Sequence, residues 1–271
     1  MANTQNKGTA LVTGSSSGIG AVYADRLARR GYDLILVARN QERLNALAKK
    51  LTTATGRSIE VVPADLNDKA DLARVEKILR EDASITMLVN NAGIGAIMPL
   101  LETDVNKMDE LISINITALT RLTYAAAPAF VARGTGTIVN ISSVVGIAPE
   151  MLNGVYGASK AFVTALSQSL QHELAPKGLR IQTVLPAATA TEFWALSGKP
   201  VSELPQHIVM TPENVVDAAL AGLDQGEVVT IPVLQDGKVW DDYEAARRAM
   251  ASLLGGTTPS KRYKLAQTAV A

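Results

Sequence analysis

Apolar residues along this chain fall in short, β-branched runs set between longer stretches with helical spacing. Residues 9–13 (TALVT), 33–38 (DLILVA), 59–63 (IEVVP), 87–89 (MLV), 137–141 (TIVNI), 180–185 (RIQTVL) and 228–231 (VVTI) are such runs. A run that does not alternate with polar residues predicts a strand buried on both faces. Between them, 18–30, 41–55, 69–82, 104–130, 155–174 and 212–224 repeat apolar residues three and four apart and predict helices. The long 104–130 stretch is expected to be interrupted near Pro128, which lacks an amide donor. Strands and helices in alternation predict a parallel sheet. Right-handed crossovers then make it a doubly wound, Rossmann-type α/β sheet of about seven strands with helices on both faces. Two segments break the rhythm. Residues 189–211, with Trp194, Pro200 and Pro205, read as a substrate loop, and 255–271 as a polar, mobile tail. Connectors are short, no linker or repeat stands out, and a single domain over 1–271 is expected.

Composition narrows the function classes. Of 271 residues 47% are hydrophobic and 19% charged, which excludes a disordered chain. Lys plus Arg and Asp plus Glu are both 26, so no basic excess points to nucleic acid or an anionic membrane as partner. The absence of cysteine excludes disulfides, thiolate metal sites and a cysteine nucleophile. His172 and His207 stand far apart and match no metal-ligand spacing, so no metal is expected. The polar N-terminus lacks a signal core, and no apolar run approaches the ~20 residues that span a bilayer. The expectation is a cytoplasmic protein without a membrane partner.

Thr13-Gly14-Ser15-Ser16-Ser17-Gly18-Ile19-Gly20 follows the first strand directly and opens the first helix. Glycines let the backbone approach a pyrophosphate, and the amides and positive end of the helix favour its charge. The spacing is Gly-x3-Gly-x-Gly, so position after the strand carries the argument more than the motif does. An acidic residue at the end of the second strand would favour NAD; Ala38-Arg39 stands there instead. Arg39 offers a charged, planar fork suited to a 2′-phosphate, although a solvated arginine is also ordinary at a strand end. NADP(H) is therefore expected over NAD(H). Asp65-Leu66 and Asn90-Asn91-Ala92-Gly93 end the third and fourth strands, where doubly wound sheets bind ligands. Asp65 suits an adenine amino group or a helix N-cap equally well.

Moving hydride to a carbonyl carbon requires a proton on its oxygen. Tyrosine, with an ordinary pKa of about 10, is a poor proton shuttle near neutrality unless a cation such as lysine lowers that value. Tyr156 and Lys160 are four residues apart on one predicted helix, hence on one face. Alone, the pair reads more simply as helix surface. Ser143, thirteen residues before Tyr156 and just past a strand, can donate to a substrate oxygen as charge develops. Asn115 lies in the apolar run 111–122, where an amide is costly unless satisfied.

Thr13–Gly20, Asn90–Gly93, Asn115, Ser142-Ser143 and Tyr156-x-x-x-Lys160 together resemble the short-chain dehydrogenase/reductase family, in its short single-domain branch, from about residue 9 to 191. The resemblance implies that Tyr156 is the acid/base, that Ser143 rather than Ser142 meets the substrate oxygen, and that Asn115 holds a water in a proton relay ending at Lys160. It also implies that Lys160 contacts the nicotinamide ribose, that Asn91, Ala92 and Gly93 line the cofactor path, and that Thr189 and Thr191 meet the carboxamide and a phosphate. The family's Pro-Gly after the sixth strand is Pro186-Ala187 here, which requires a negative φ at Ala187. Many NADP-preferring members carry a basic residue in the glycine turn; Ser15, Ser16 and Ser17 are uncharged.

Ile94, Ile97, Met98, Met151, Leu152, Phe193 and Trp194 are candidate walls of an apolar pocket, or lid and subunit packing. A small-molecule aldehyde, ketone or secondary alcohol is the expected substrate. Helices over 104–127 and 155–174 carry apolar residues on more than one face, as a homodimer or homotetramer would use them. A catalytically silent dinucleotide sensor is the alternative, and the complete Asn115, Ser143, Tyr156 and Lys160 set speaks against it. A nucleotide-sugar epimerase or dehydratase would need more chain after Ile231.

Overall fold

The computed structural model describes residues 6–152 and 154–265. Its elements run β1 (Thr9–Thr13), α1 (Gly18–Arg29), β2 (Asp33–Ala38), α2 (Gln41–Thr55), β3 (Ile59–Pro63), α3 (Lys69–Glu81) and β4 (Ile85–Asn90). After these come α4 (Val105–Ile112), α5 (Leu119–Arg133), β5 (Gly136–Ile141), α6 (Gly154–Leu174) and β6 (Leu179–Val184). The last are α7 (Phe193–Leu196), α8 (Pro212–Gln225), β7 (Val229–Thr230) and α9 (Gly237–Ala251). Every strand pairing is parallel and the order is β3-β2-β1-β4-β5-β6-β7. Strand order reverses between β1 and β4, which opens a crevice at their carboxyl ends.

The unbroken apolar strands have a direct physical use. Successive side chains point to opposite faces. Leu11, Ile35 and Val37 join one core with Val75, Leu122 and Phe130. Ala10, Val12, Leu34 and Leu36 join the other with Leu27, Leu44 and Leu220. A strand that must fill two cores has no polar face to show.

The interruption expected at Pro128 is not where the helix departs from regularity. Pro128 stays inside α5, on its exposed face near the exposed Tyr124, where water can serve the carbonyl that proline cannot. The irregularity is a π-turn over Ser113–Ala118, between α4 and α5, and it contains Asn115.

Two compact units are distinguished, Met1–Pro232 and Val233–Ala271. The second holds α9, which the apolar pattern did not reveal. Asp236 caps it by accepting from the Lys238 amide, and Lys238–Asp242 and Arg247–Glu244 pairs run along it. Such a helix rests on capping and helix-forming residues more than on an apolar stripe. Of the expected tail, 255–265 is exposed with one turn at Lys261–Tyr263, and 266–271 lies outside the described residues.

Candidate active site

The glycine turn is locked to the end of β4. The Thr13 hydroxyl accepts from the Asn91 and Ala92 amides, each at 3.0 Å. The Asn91 side chain donates back to the carbonyls of Thr13 and Gly14 at 2.9 and 3.1 Å. Gly14 has φ +64, and a Cβ there would stand 2.8 Å from the Ala92 Cα. Only glycine satisfies both the turn and the contact. Asn91 thus acts by holding the turn, a use its position did not disclose.

At the start of α1 the first-turn amides, Gly18 to Gly20, have no partner within the helix. No acidic residue stands in that turn, and the Ser17 side chain does not cap it. The turn, Ala190, Thr191 and Pro212 border a cavity of about 580 Å³. Glu192 reaches this end: its carboxylate accepts from Ser17 and pairs with Arg43 of α2 at 2.7 Å. Both contacts draw the Glu192 pKa below its ordinary value. Arg43 and the Ser17 hydroxyl, which hold this carboxylate, are donors of the kind that a phosphate also uses. Arg43 and Glu192 escaped the sequence reading because they lie 149 residues apart.

The other nucleotide-end residues are placed as follows. Ser16 and Ile19 are half-buried in the turn, and Gly20 is buried in α1. Arg39 is exposed just past β2, and among the described residues no carboxylate pairs with it. Asp65 follows β3, but its carboxylate accepts from the Asn67 amide, and the N-cap of α3 is Asp68. Leu66 is buried in the core. Ala187 does not have positive φ, so alanine fits where the family has glycine. The Pro186 carbonyl accepts from the Val144 amide and the Ser143 hydroxyl. Thr189 pairs with Met210, closing the root of the 189–211 loop, and the Thr191 side chain lies against Gly18.

Asn115, Ser143, Tyr156 and Lys160 converge beyond β4 and β5. Tyr156 and Lys160 are buried on α6. The Lys160 ammonium donates to the Ile141 carbonyl at 2.9 Å and lies 5.8 Å from the centre of the Tyr156 ring. Burial pulls the Lys160 pKa down to about 8. Tyr156 is hydrogen-bonded to Ser143, which lowers its pKa, but burial raises it more, leaving the phenol well above its ordinary value. The expected lowering by Lys160 is therefore not what this geometry produces. Desolvation of the phenolate outweighs the neighbouring hydroxyl, and the ammonium is engaged by a backbone carbonyl.

The Asn115 amide is fully used. Its oxygen accepts from the Ile94 amide at 3.0 Å, and its nitrogen donates to the Ile94 carbonyl and the Ser159 hydroxyl. Ser159 donates in turn to the Tyr156 carbonyl at 2.7 Å, a link that sequence reading missed. Gly93 lies between Asn115 and Lys160. Ser142 points away from the site, donating to the Lys160 carbonyl. Of the proposed pocket residues, Ile94, Leu152 and Phe193 pack with Ala96, Val145 and Tyr156, while Met98 and Met151 are exposed. Asn153 lies outside the described residues.

A family model described as short chain dehydrogenase matches residues 8–200. The chain belongs to the short-chain dehydrogenase/reductase family. A short-chain dehydrogenase from Sphingobium yanoikuyae, solved in complex with NADPH, is 51% identical with a TM-score of 0.92, over 94% of this chain and 99% of that one. The bulky-bulky ketone specific alcohol dehydrogenase from Comamonas testosteroni is 46% identical with a TM-score of 0.88, over 96% and 99%. The very-long-chain 3-oxoacyl-CoA reductase of Anas platyrhynchos is 37% identical over 215 residues, 78% of this chain and 67% of its own. As a short-chain dehydrogenase/reductase the protein is an oxidoreductase that works with a nicotinamide cofactor on small molecules. No helix among the described residues is long and apolar enough to cross a membrane.

Proposed function

We propose that this oxidoreductase uses NADP(H) to interconvert ketones and secondary alcohols, with Tyr156 as the acid/base. The observation that carries the reading is the hydrogen bond between the buried hydroxyls of Tyr156 and Ser143, at the mouth of the strand crevice and beside Lys160.

The cradle fits a dinucleotide. The Gly14 turn leaves no room for a side chain, the first-turn amides of α1 suit a pyrophosphate, and Arg39 has a free fork for a 2′-phosphate. The solved relative holding NADPH supports the choice of NADP. When bound, the cofactor supplies or accepts the hydride. The chain's own part is proton handling. A phenol held above its ordinary pKa carries its proton near neutrality, and Tyr156 gives it up only as negative charge builds on the carbonyl oxygen. Ser143 holds that oxygen by a second hydrogen bond that strengthens as charge builds on it. The Lys160 ammonium, 5.8 Å from the Tyr156 ring, replenishes the proton, and Asn115 steadies the start of α6 through Ser159. Apolar walls at Ala96, Val145, Leu152 and Phe193 exclude water and favour an apolar ketone. The Comamonas testosteroni relative, named for bulky-bulky ketones, supports that class. Exposed Tyr124 on α5 and Phe162 on α6 suit a homo-oligomer through these helices, which light scattering tests.

The deciding experiment is a panel of ketones and secondary alcohols followed at the nicotinamide absorbance with both cofactors. Wild type turns over and Tyr156→Phe loses roughly 10²–10⁴ in rate while still binding NADPH. A fully active variant refutes the assignment.

A further inference from the structure

α7 is a single turn with no buried residue, and Leu196 within it is 82% exposed. Its first residue is nevertheless seated. The Phe193 ring lies 5.7 Å from the Tyr156 ring, tilted by 46°, and packs with Ala96 and Val145. It rests against the backbone of Gly95, so closely that a Cβ added there would overlap the ring's far edge. Gly95 has no positive φ, so its backbone does not demand glycine; the ring does. The Ser197 hydroxyl is also near, at 2.6 Å from that point, but one side-chain rotation removes it.

Ala96, Leu111 and Val145 are the buried, fixed part of the wall around Tyr156. Phe193 comes from a turn with no buried residue, tied to the loop by the Trp194 bond to the Thr189 carbonyl. A wall of buried residues completed by one aromatic ring from an unburied turn is a pocket whose size that ring decides.

We propose that Phe193 is a specificity-determining residue. Seated on Gly95, its ring walls the pocket for ketones with one small flank. Unseated, it admits ketones with a bulky apolar group on both sides of the carbonyl. The inference rests on the proposed ketone reduction and adds to it the residue that sets the size limit.

The test compares kcat/KM for an aryl methyl ketone and a diaryl ketone in wild type, Phe193→Ala, Gly95→Ala and the double variant, with NADPH binding measured on each. Phe193→Ala shifts the ratio toward the diaryl ketone by on the order of tenfold, the usual scale for reshaping an apolar pocket. Gly95→Ala unseats the ring and also shifts the ratio. In the Phe193→Ala background the same change at Gly95 alters it by less than about twofold, because contacting residues couple. Since Phe193 lies on an exposed turn, Phe193→Ala tests the inference even if Gly95→Ala fails to fold. An unchanged ratio in Phe193→Ala, or equal effects of Gly95→Ala in both backgrounds, overturns the inference alone. A wild type that binds NADPH yet reduces neither ketone overturns the proposed function and this inference with it.

Discussion

Lys160→Met removes a buried ammonium, and its consequence for stability can be worked out with its sign. Burial holds the Lys160 pKa at about 8 against 10.5 for an ordinary lysine. That difference corresponds to about 3 kcal/mol against the charged form in the folded state. Below pH 8 both folded and unfolded chains carry the proton, and folding bears the full cost. Between about pH 8 and 10.5 the unfolded chain still holds the proton while the folded chain has released it. The unfolded state then binds more protons, so stability rises with pH. The buried tyrosines act in the opposite sense. Tyr23, Tyr32 and Tyr156 all have raised pKa values, so above about pH 10 they lower stability as the unfolded phenols ionise first. The window for Lys160 is therefore about pH 8 to 9.5, and the expected gain across it is about 2 kcal/mol.

Urea denaturation of wild type and Lys160→Met at about pH 8 and about pH 9.5 measures the difference. The variant lacks the rise. Near pH 7 it is also the more stable of the two by up to about 3 kcal/mol, less the ~1.5–3 kcal/mol of the charged hydrogen bond to the Ile141 carbonyl. Parallel pH profiles for the two proteins would show that burial does not depress this lysine.

Three further outcomes are expected. Alcohol oxidation, which needs the Tyr156 phenolate, rises with pH without a plateau below about pH 10, whereas ketone reduction does not; an oxidation optimum near neutrality contradicts the raised phenol. Arg39→Ala weakens NADPH by roughly ten- to a hundredfold, the loss of about 1.5–3 kcal/mol from charged hydrogen bonds, and leaves NADH nearly unchanged; equal losses, by fluorescence titration, contradict the phosphate role. Glu192→Ala leaves the urea midpoint of unfolding essentially unchanged, because both partners of its ion pair are about half exposed; a clear drop in that midpoint means that the pair holds the loop.

The strands were legible because burial on both faces leaves a continuous apolar signature, and β1, β2 and β3 coincide with the runs at 9–13, 33–38 and 59–63. Helices agreed to within a residue or so where caps mark them, as at Asn40 and Thr211. α9 was missed because its polar surface carries little periodic signal. The π-turn at Ser113–Ala118 was missed because nothing local distinguishes it: it answers to the tertiary bonds of Asn115 with Ile94 and Ser159. Residue types in the site were legible in the same way, but their duties were not. The Asn91 amide and the depth of Tyr156 depend on neighbours far along the chain, whereas the Asp65 carboxylate is taken by the Asn67 amide two residues on.

Three consecutive residues tie the two ends of the site together. Thr191 touches Gly18, Glu192 binds Ser17 and Arg43, and Phe193 lies on Tyr156 and Gly95. The chain turns here, with Glu192 at φ −60 and ψ −17 and Phe193 opening α7, so successive side chains fan out around a helical turn and reach different sides of the crevice. The Thr189–Met210 pairing and the Trp194 indole bond to the Thr189 carbonyl hold the root of this stretch. The glycine turn below it is equally fixed by Thr13 and Asn91. α7 is tied to the root through Trp194, while none of its residues is buried and Leu196 faces outward. In the proposed reaction, precision at the proton-handling hydroxyls and tolerance toward the substrate's flanks belong to different residues: Ser143 and Tyr156 for the first, Phe193 for the second.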